Sequence, residues 1–194
     1  MKGRVLDIGG KKRGKRGNFC PPINNVDYWE YLNFDDSTEP DYCCSADNIP
    51  LPDSSLDTVI MTELLEYLPE PSRVLSEIFR VIKSKGNVLI SVPFLNPIHG
   101  DYWVDRNRYT PVALKEMVQN EGFSVIKLKP MGSVGAVLYD ILRAALGYTD
   151  VTGRYSKWAK LLNKNKKLFF WLDRIFDQQK KYINTGYFMI IIKN

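Results

Sequence analysis

"VLDIGGKKRGKR", Val5 to Arg16, decides how the rest of the chain is read. A short apolar run meets an acid, then two glycines, then five basic residues in six. The apolar run predicts a buried strand. Glycines at its end let a ligand approach the backbone amides closely. After Gly10 come Lys11 and Lys12, so the dinucleotide fingerprint of three spaced glycines is missing, and so is the phosphate loop of nucleotide triphosphatases. No helix start follows to offer its amides to a pyrophosphate. A nucleoside carrying a zwitterionic amino-acid tail needs backbone contacts but no phosphate cradle, and it suits this loop better.

The next run, "WEYLNFDDS", predicts a second strand ending in acids, with Asp35 placed to accept hydrogen bonds from ribose hydroxyls. "DYCCSA" predicts a third strand and "LDTVIMTE" a fourth. "PSRVLSEIFRVIKSKG" predicts a helix. Val74, Leu75, Ile78, Phe79 and Ile82 share one face, and Gly86 follows basic residues as its stop. "NVLISVPF" predicts a fully buried strand. "TPVALKEMVQNEGF" predicts a helix with Thr110 as N-cap, Pro111 at the first position and Gly122 at the end. "SVIKLKPM" and "GYFMIIIKN" supply the last strands. Strands alternating with helices imply a mostly parallel sheet covered on both faces. The connections between Leu6 and Ile60 carry little helical pattern, and residues 10–25 predict a loop. An insertion from about Gly132 to Gly186 predicts helices.

The chain has 194 residues, 44% apolar and 25% charged, which fits one soluble globular domain. No apolar run approaches the roughly 20 residues of a membrane span, and the start carries no signal-peptide pattern. Cys20, Cys43 and Cys44 form no C-x-x-C pair, so reduced thiols in a cytoplasmic protein are expected. With a single histidine, no metal site is expected.

The residues along the first two thirds resemble class I S-adenosylmethionine-dependent methyltransferases, more narrowly the methyltransferase type 11 group often associated with sugar and surface-polysaccharide pathways. "VLDIGG" is similar to the family's first motif and "YLNFDDS" to its second. "SADNIPLPDSSLDTVI", "ELLEYLPEP" and "SEIFRVIKSKG" follow in the family's order. "PFLNPIHGDYWVDRNRYTP" resembles the signature of the narrower group. The resemblance runs from Val5 to about Phe123. It implies an α/β, Rossmann-like methyltransferase fold: a mostly parallel seven-stranded sheet with an antiparallel last strand and a helical insertion before it. A helix preceding the first strand is expected to be missing, since Met1 stands four residues before Val5. The expected layout is one domain, 1–194: a cofactor-binding core over 1–131, a helical cap over 132–186 and a final strand over 187–194.

The resemblance implies S-adenosylmethionine as cofactor, and methyl transfer to a hydroxyl or amine of a sugar or other small metabolite. Asp7, Gly9 and Gly10 would line the methionine end, Asp35 and Asp36 the ribose, Ser45, Ala46 and Asp47 the adenine, and Thr62 and Glu63 the sulfonium. The family's adenine acid falls at Ser45, which leaves Asp47 as stand-in. Tyr67 stands where the family often has His. His99 is the candidate base, since a near-neutral pKa suits proton removal; alternatively it positions Asp101 or Tyr102 or touches substrate. His99, Asp101, Tyr102, Arg108 and Tyr109 are candidate substrate residues. Asp101, Asp105 and Arg108 read equally as a surface salt-bridge cluster. Tyr102, Trp103 and Tyr109 read as an aromatic wall or as packing. Glu63 and Glu66, at i, i+3, read as solvated charges. The eroded first motif leaves a second reading open, a non-catalytic relative serving as an interaction module.

Net charge is +5, but residues 154–181 alone hold nine Lys/Arg against two Asp. "KKRGKR" at 11–16 reads as a solvated loop or as a greeting for an anionic acceptor. It lacks the interleaved aromatics of a nucleic-acid arm, so nucleic acid is disfavoured. In the insertion, Trp158, Leu161, Leu162, Leu168, Leu172, Ile175 and Phe176 trace a helical stripe, with Phe170 and Trp171 off it and a break at Asn163 to Asn165. The stripe reads as an amphipathic cap with its lysines in water, or as a peripheral membrane contact. The oligomeric state is not legible.

Overall fold

A computed structural model describes residues 2–11, 24–98, 104–147 and 156–194. The chain falls into two compact units. The first holds residues 1–92, 106–128 and 188–194, and the second 93–105 and 129–187.

Seven strands form one sheet in the order β3-β2-β1-β4-β5-β7-β6. They are β1 (Gly3–Ile8), β2 (Val26–Asn33), β3 (Tyr42–Cys43), β4 (Leu56–Thr62), β5 (Ile82–Pro93), β6 (Phe123–Met131) and β7 (Gly186–Lys193). Strands β1 to β5 pair in parallel. The last strand, β7, lies between β5 and β6 and runs antiparallel. This is the predicted Rossmann-like methyltransferase architecture. Among the described residues between β1 and β4, helical structure is limited to a single 3-10 turn at Asp36–Thr38.

The first unit's core is drawn from both faces of the sheet. Val5, Leu6, Ile8, Leu32, Leu56, Val59, Met61, Val88, Ile90 and Val92 are buried. Helix α1 (Pro71–Val81) buries Val74, Leu75, Ile78 and Val81, one face of a 3.6-residue period. Helix α2 (Pro111–Asn120) buries Leu114 and Val118, and Thr110 caps it by accepting from the Ala113 amide at 3.3 Å. Lys193 closes the far end of α1, donating to the Phe79 and Ile82 carbonyls at 2.6 and 3.0 Å. A cation there complements the negative end of the helix dipole.

Several boundaries differ from expectation. Helix α1 ends at Val81, and the chain enters β5 at once; Gly86 is not a helix stop. It lies inside β5, where the pairing jumps from Leu56–Ile82 to Thr58–Asn87. A Cβ on Gly86 would sit 2.6 Å from Ile82 Cγ1 and 2.8 Å from the Lys83 carbonyl oxygen. The glycine answers to this bulge, a close approach the local pattern cannot distinguish from a helix end. The third strand shrinks to two residues, and the acids 35 and 36 fall beyond β2 rather than in it.

In the second unit, α3 (Val134–Ala145), α4 (Lys157–Lys164) and α5 (Lys166–Ile175) are the insertion's helices. The break falls at Asn165, which caps α4 and starts α5. Tyr139 of α3 donates its hydroxyl to Asn163 of α4 and meets the Phe169 ring of α5, centroids 5.4 Å apart. Asp173 of α5 accepts from the Ser133 hydroxyl at 2.7 Å and the Ala136 amide at 3.0 Å. The predicted apolar stripe is split: Leu162 is buried and Leu172 half-buried, but its other members are turned outward. Ala159, Leu162 and Phe169 are buried, whereas Trp158, Leu161, Leu168, Ile175 and Phe176 are exposed.

Candidate functional site

Parallel pairing brings the carboxyl ends of β1 to β5 to one edge of the sheet, where doubly wound folds bind ligands. Ile8 stands level with Leu32 and Met61, Asn33 with Cys43, and Thr62 with Ser91. The predicted residues 7–10, 35–36, 45–47 and 62–63 are therefore neighbours along this edge.

The turn after β1 is tight. Gly9 has φ +76°, and its amide donates to the Leu32 carbonyl at 2.8 Å. Asp7 is only 1% exposed. A Cβ on Gly10 would stand 2.5 Å from Asp7 Cγ, so the carboxylate packs directly on the Gly10 backbone. Asn33, missed in the sequence, joins this turn to the next strand's end. Its amide nitrogen donates to the Gly10 carbonyl at 3.1 Å, and its Oδ1 accepts from the Asp35 amide at 3.1 Å. Asn33 is buried. A polar side chain closing an apolar strand, just before two acids, was the available signal.

Asp35 is exposed and caps the 3-10 turn. One oxygen, Oδ1, accepts from both the Ser37 hydroxyl at 2.6 Å and the Ser37 amide at 3.0 Å. Those bonds, with Lys11 nearby, hold its carboxyl below the usual range. Asp36 is exposed beside it. Beyond β3, Ser45 and Asp47 are exposed and Ala46 is buried; the Ser45 carbonyl accepts from the Asn48 amide at 3.2 Å.

At the end of β4, Glu63 adopts φ +52°, a left-handed conformation uncommon for a side-chain-bearing residue. Its amide donates to the Ser91 carbonyl at 2.9 Å, and its carboxylate accepts from the Ser91 hydroxyl at 2.7 Å. Ser91, also missed, thus fixes the turn beneath Thr62 and Glu63. Glu66 corrects the expectation of a solvated pair: it is fully buried in the 3-10 turn Leu65–Tyr67. Its carbonyl accepts the Arg106 and Asn107 amides at 2.9 and 3.1 Å. Tyr109 is buried with its hydroxyl donating to the Leu65 carbonyl at 3.2 Å. Burial, and then the Glu66 charge, push the Tyr109 phenol up. Arg108 donates to the Asn107 carbonyl at 2.9 Å. His99, Asp101, Tyr102 and Trp103 lie outside the described residues, as does most of the basic loop 11–16.

An apolar groove of about 240 Å³ lies in the second unit, lined by Ala136, Tyr139, Asp140, Lys166, Phe169 and Phe170. None of the predicted site residues lines it.

Residues 22–90 match the model of a family described as a methyltransferase domain, a span from before β2 into β5 that leaves Asp7 to Gly10 ahead of it. The chain is 31% identical over 88 residues to a probable S-adenosylmethionine-dependent methyltransferase of Mycolicibacterium smegmatis, covering 40% of this chain and 32% of that protein. It spans only about a third of the length of the curated relatives it matches. Among solved structures it is similar to an S-adenosylmethionine-dependent methyltransferase from Archaeoglobus fulgidus. The TM-score is 0.60 at 20% identity, over 99% of this chain and 86% of that one. It is also similar to the [4+2]-cyclase SpnF, with TM-score 0.59 at 18% identity, over 98% and 74%. The likeness to these solved structures shows a shared fold, and the domain match places residues 22–90 within it.

Proposed function

We propose that this chain transfers a methyl group from S-adenosylmethionine to a hydroxyl or amine of a sugar or other small metabolite. The observation that carries the reading is the Asn33 clamp, which ties the Gly10 carbonyl to the Asp35 amide and so sets the β1 and β2 tips side by side. That spacing suits a nucleoside with an amino-acid tail: glycine backbone at one end, an ionised acid for ribose hydroxyls at the other. The bound cofactor supplies an activated methyl on a sulfonium. The chain's contribution is alignment, worth up to about 7–11 kcal/mol in well-oriented reactions. Gly9 and Gly10 hold the tail, with Asp7 bracing the turn from below. Asp35 takes the ribose, with Asp36 beside it. Ser45, Ala46 and Asp47 flank the adenine. Thr62 and Glu63 sit under the reacting centre, their turn fixed by Ser91. His99 takes the acceptor's proton, and Asp101, Tyr102, Arg108 and Tyr109 contribute to the acceptor side.

Calorimetric titration of the full chain with S-adenosylhomocysteine tests the reading. Saturable 1:1 binding, weakened at least about tenfold by Asp35→Ala, supports it. Absence of binding overturns it. A second reading has its own support: the Asp7 carboxylate packs onto its own turn and Asp35 Oδ1 caps its own helix. Acids that shape loops suit a scaffold retained as a binding module. Product binding without turnover across hydroxyl and amine acceptor pools favours this second reading.

A further inference from the structure

Helices α4 and α5 each turn a mixed face toward α3 and leave an apolar face to solvent. On α4 the inner face is Ala159, Leu162 and Asn163, the last meeting Tyr139 of α3. On α5 it is Phe169 and Asp173, which meet Tyr139, Ser133 and Ala136. The other side of α4 presents Trp158 and Leu161, 66% and 50% exposed. The other side of α5 presents Leu168, Trp171 and Ile175, at i, i+3 and i+7, each more than half exposed. Both helices pack their inner faces on Tyr139 of α3, so both outer stripes point away from it.

Lysines border these stripes. Lys157, Lys160 and Lys164 lie beside Trp158 and Leu161, and Lys167 and Arg174 beside Trp171. All five are exposed. The described residues 156–182 carry eight Lys/Arg against two Asp, one of which, Asp173, is turned toward α3. Exposed tryptophans and leucines between basic side chains match the chemistry of an anionic lipid interface. The rings enter the headgroup boundary, the lysine stems lie along it and their charges meet the phosphates. A protein partner would need a complementary solid surface, and nucleic acid has no use for the aliphatic Leu161, Leu168 and Ile175. No described helix is long and apolar enough to cross a membrane, so the contact is in the plane of the surface.

We propose that the outer faces of α4 and α5 form a peripheral docking surface for anionic phospholipid membranes. Basic side chains supply electrostatic attraction of about fivefold in partitioning each, and the Trp158 and Trp171 rings insert at the interface.

Co-sedimentation of the full chain with vesicles of phosphatidylcholine containing about 30% phosphatidylserine tests this, against pure phosphatidylcholine vesicles. Binding is expected at about 50 mM NaCl and lost at about 500 mM, where the Debye length falls below 5 Å. Tryptophan emission should shift to the blue on binding, and Trp158→Phe/Trp171→Phe should remove that shift while leaving sedimentation largely intact. Two further variants separate the two contributions. Lys160→Glu/Lys167→Glu should lower the bound fraction at least about tenfold, and Leu168→Ser/Trp171→Ser at least about fivefold, each with a wild-type circular-dichroism spectrum. Equal binding to the two vesicle types overturns the proposal. So does salt-sensitive binding to an RNA oligonucleotide without vesicle binding. Self-association at micromolar concentration that already buries the tryptophans would assign the face to a second copy and overturns it too. The outcome is independent of S-adenosylhomocysteine binding, which reads the other proposal.

Discussion

Helices α1 and α5 are nearly the same length, 11 and 10 residues, and both are amphipathic. They spend their apolar residues differently. Helix α1 concentrates Val74, Leu75, Ile78 and Val81 on one buried face and leaves Ser72, Arg73, Ser76, Glu77 and Arg80 for the other. Its outer charges are put to structural use: Arg80 donates to Glu77, Asp53 and the Leu51 and Ile49 carbonyls, all within 2.9 Å. Helix α5 buries Phe169 and turns Leu168, Trp171 and Ile175 to solvent. A helix needs one apolar face to join a fold. The second face of α5 is left in water by this fold, whereas the apolar face of α1 is spent on the core.

The sharpest way to break this comparison is to truncate inside α1. Leu75 is fully buried, so Leu75→Ala is expected to lower unfolding free energy by about 3 kcal/mol in urea titration. A loss under about 1 kcal/mol would mean that α1 is not the core helix described.

A second test moves to the tip of β1, where backbone and side chain compete for one space. A Cβ at Gly10 meets Asp7 Oδ1 and Oδ2 at 2.7 Å. Gly10→Ala is expected to cost about 2 kcal/mol and to weaken S-adenosylhomocysteine binding. If the carboxylate is what the methyl strikes, Asp7→Ala made alongside restores space, and the pair departs from additivity by at least about 1 kcal/mol. Additive losses would place the clash elsewhere.

These two tests also mark what the sequence could reveal. Strands β1, β4, β5 and β7 were legible because an apolar run bounded by turn residues has few other uses, and α2 was legible because Thr110, Pro111 and Gly122 act locally. Gly86 was not, because its constraint comes from the Ile82 side chain and the Lys83 carbonyl, which only the bulge in β5 folds against it. Asn33 and Ser91 escaped for the same reason. Each works by bonding another strand's end, and that adjacency exists only once the sheet is ordered. Glu66 read as half of a solvated pair, yet its 3-10 turn is buried under residues 106–109. The α4–α5 stripe fails instructively. The break expected at Asn163 to Asn165 is there, at Asn165, but the stripe does not tell which of its residues on each helix face inward, and only Leu162 of them is buried. Phe169, the buried anchor, lay outside the stripe altogether.

A smaller effect separates charge from packing at the opposite edge of the first unit. Arg4 donates to both Glu30 oxygens, at 2.6 and 2.9 Å, and Tyr42 donates to Glu30 at 2.6 Å. The Arg4 hydrogen bonds, aided by Tyr42, hold the Glu30 carboxyl below its ordinary value despite partial burial. A depressed folded-state pKa contributes stability above the unfolded value of about 4.3 and loses it as pH falls through the folded value. Lys83 acts on Asp57 and Arg80 on Glu77 in the same direction. Glu30→Gln should therefore cost about 1–2 kcal/mol at pH 7, with the gap from wild type narrowing as pH falls below about 4.3 and through the lower folded-state value. A gap unchanged across that range would assign the loss to packing instead of charge.

The smallest expected change is the most telling about α5. Leu168 and Leu75 are the same residue type on helices of similar length, one 54% exposed and one fully buried. Leu168→Ala removes the same three carbon atoms as Leu75→Ala, but they already face water in the folded chain. No cavity is left behind and little transfer free energy is lost, so unfolding should change by less than about 0.5 kcal/mol. Alanine's higher helix propensity works slightly in the variant's favour. A cost approaching that of Leu75→Ala would show the outer stripe to be covered within the chain, and would remove the surface on which the vesicle experiment depends. A null effect in urea together with a measurable loss of vesicle binding would separate the two faces of one helix by function: Phe169 for the fold, Leu168 and Trp171 for the partner.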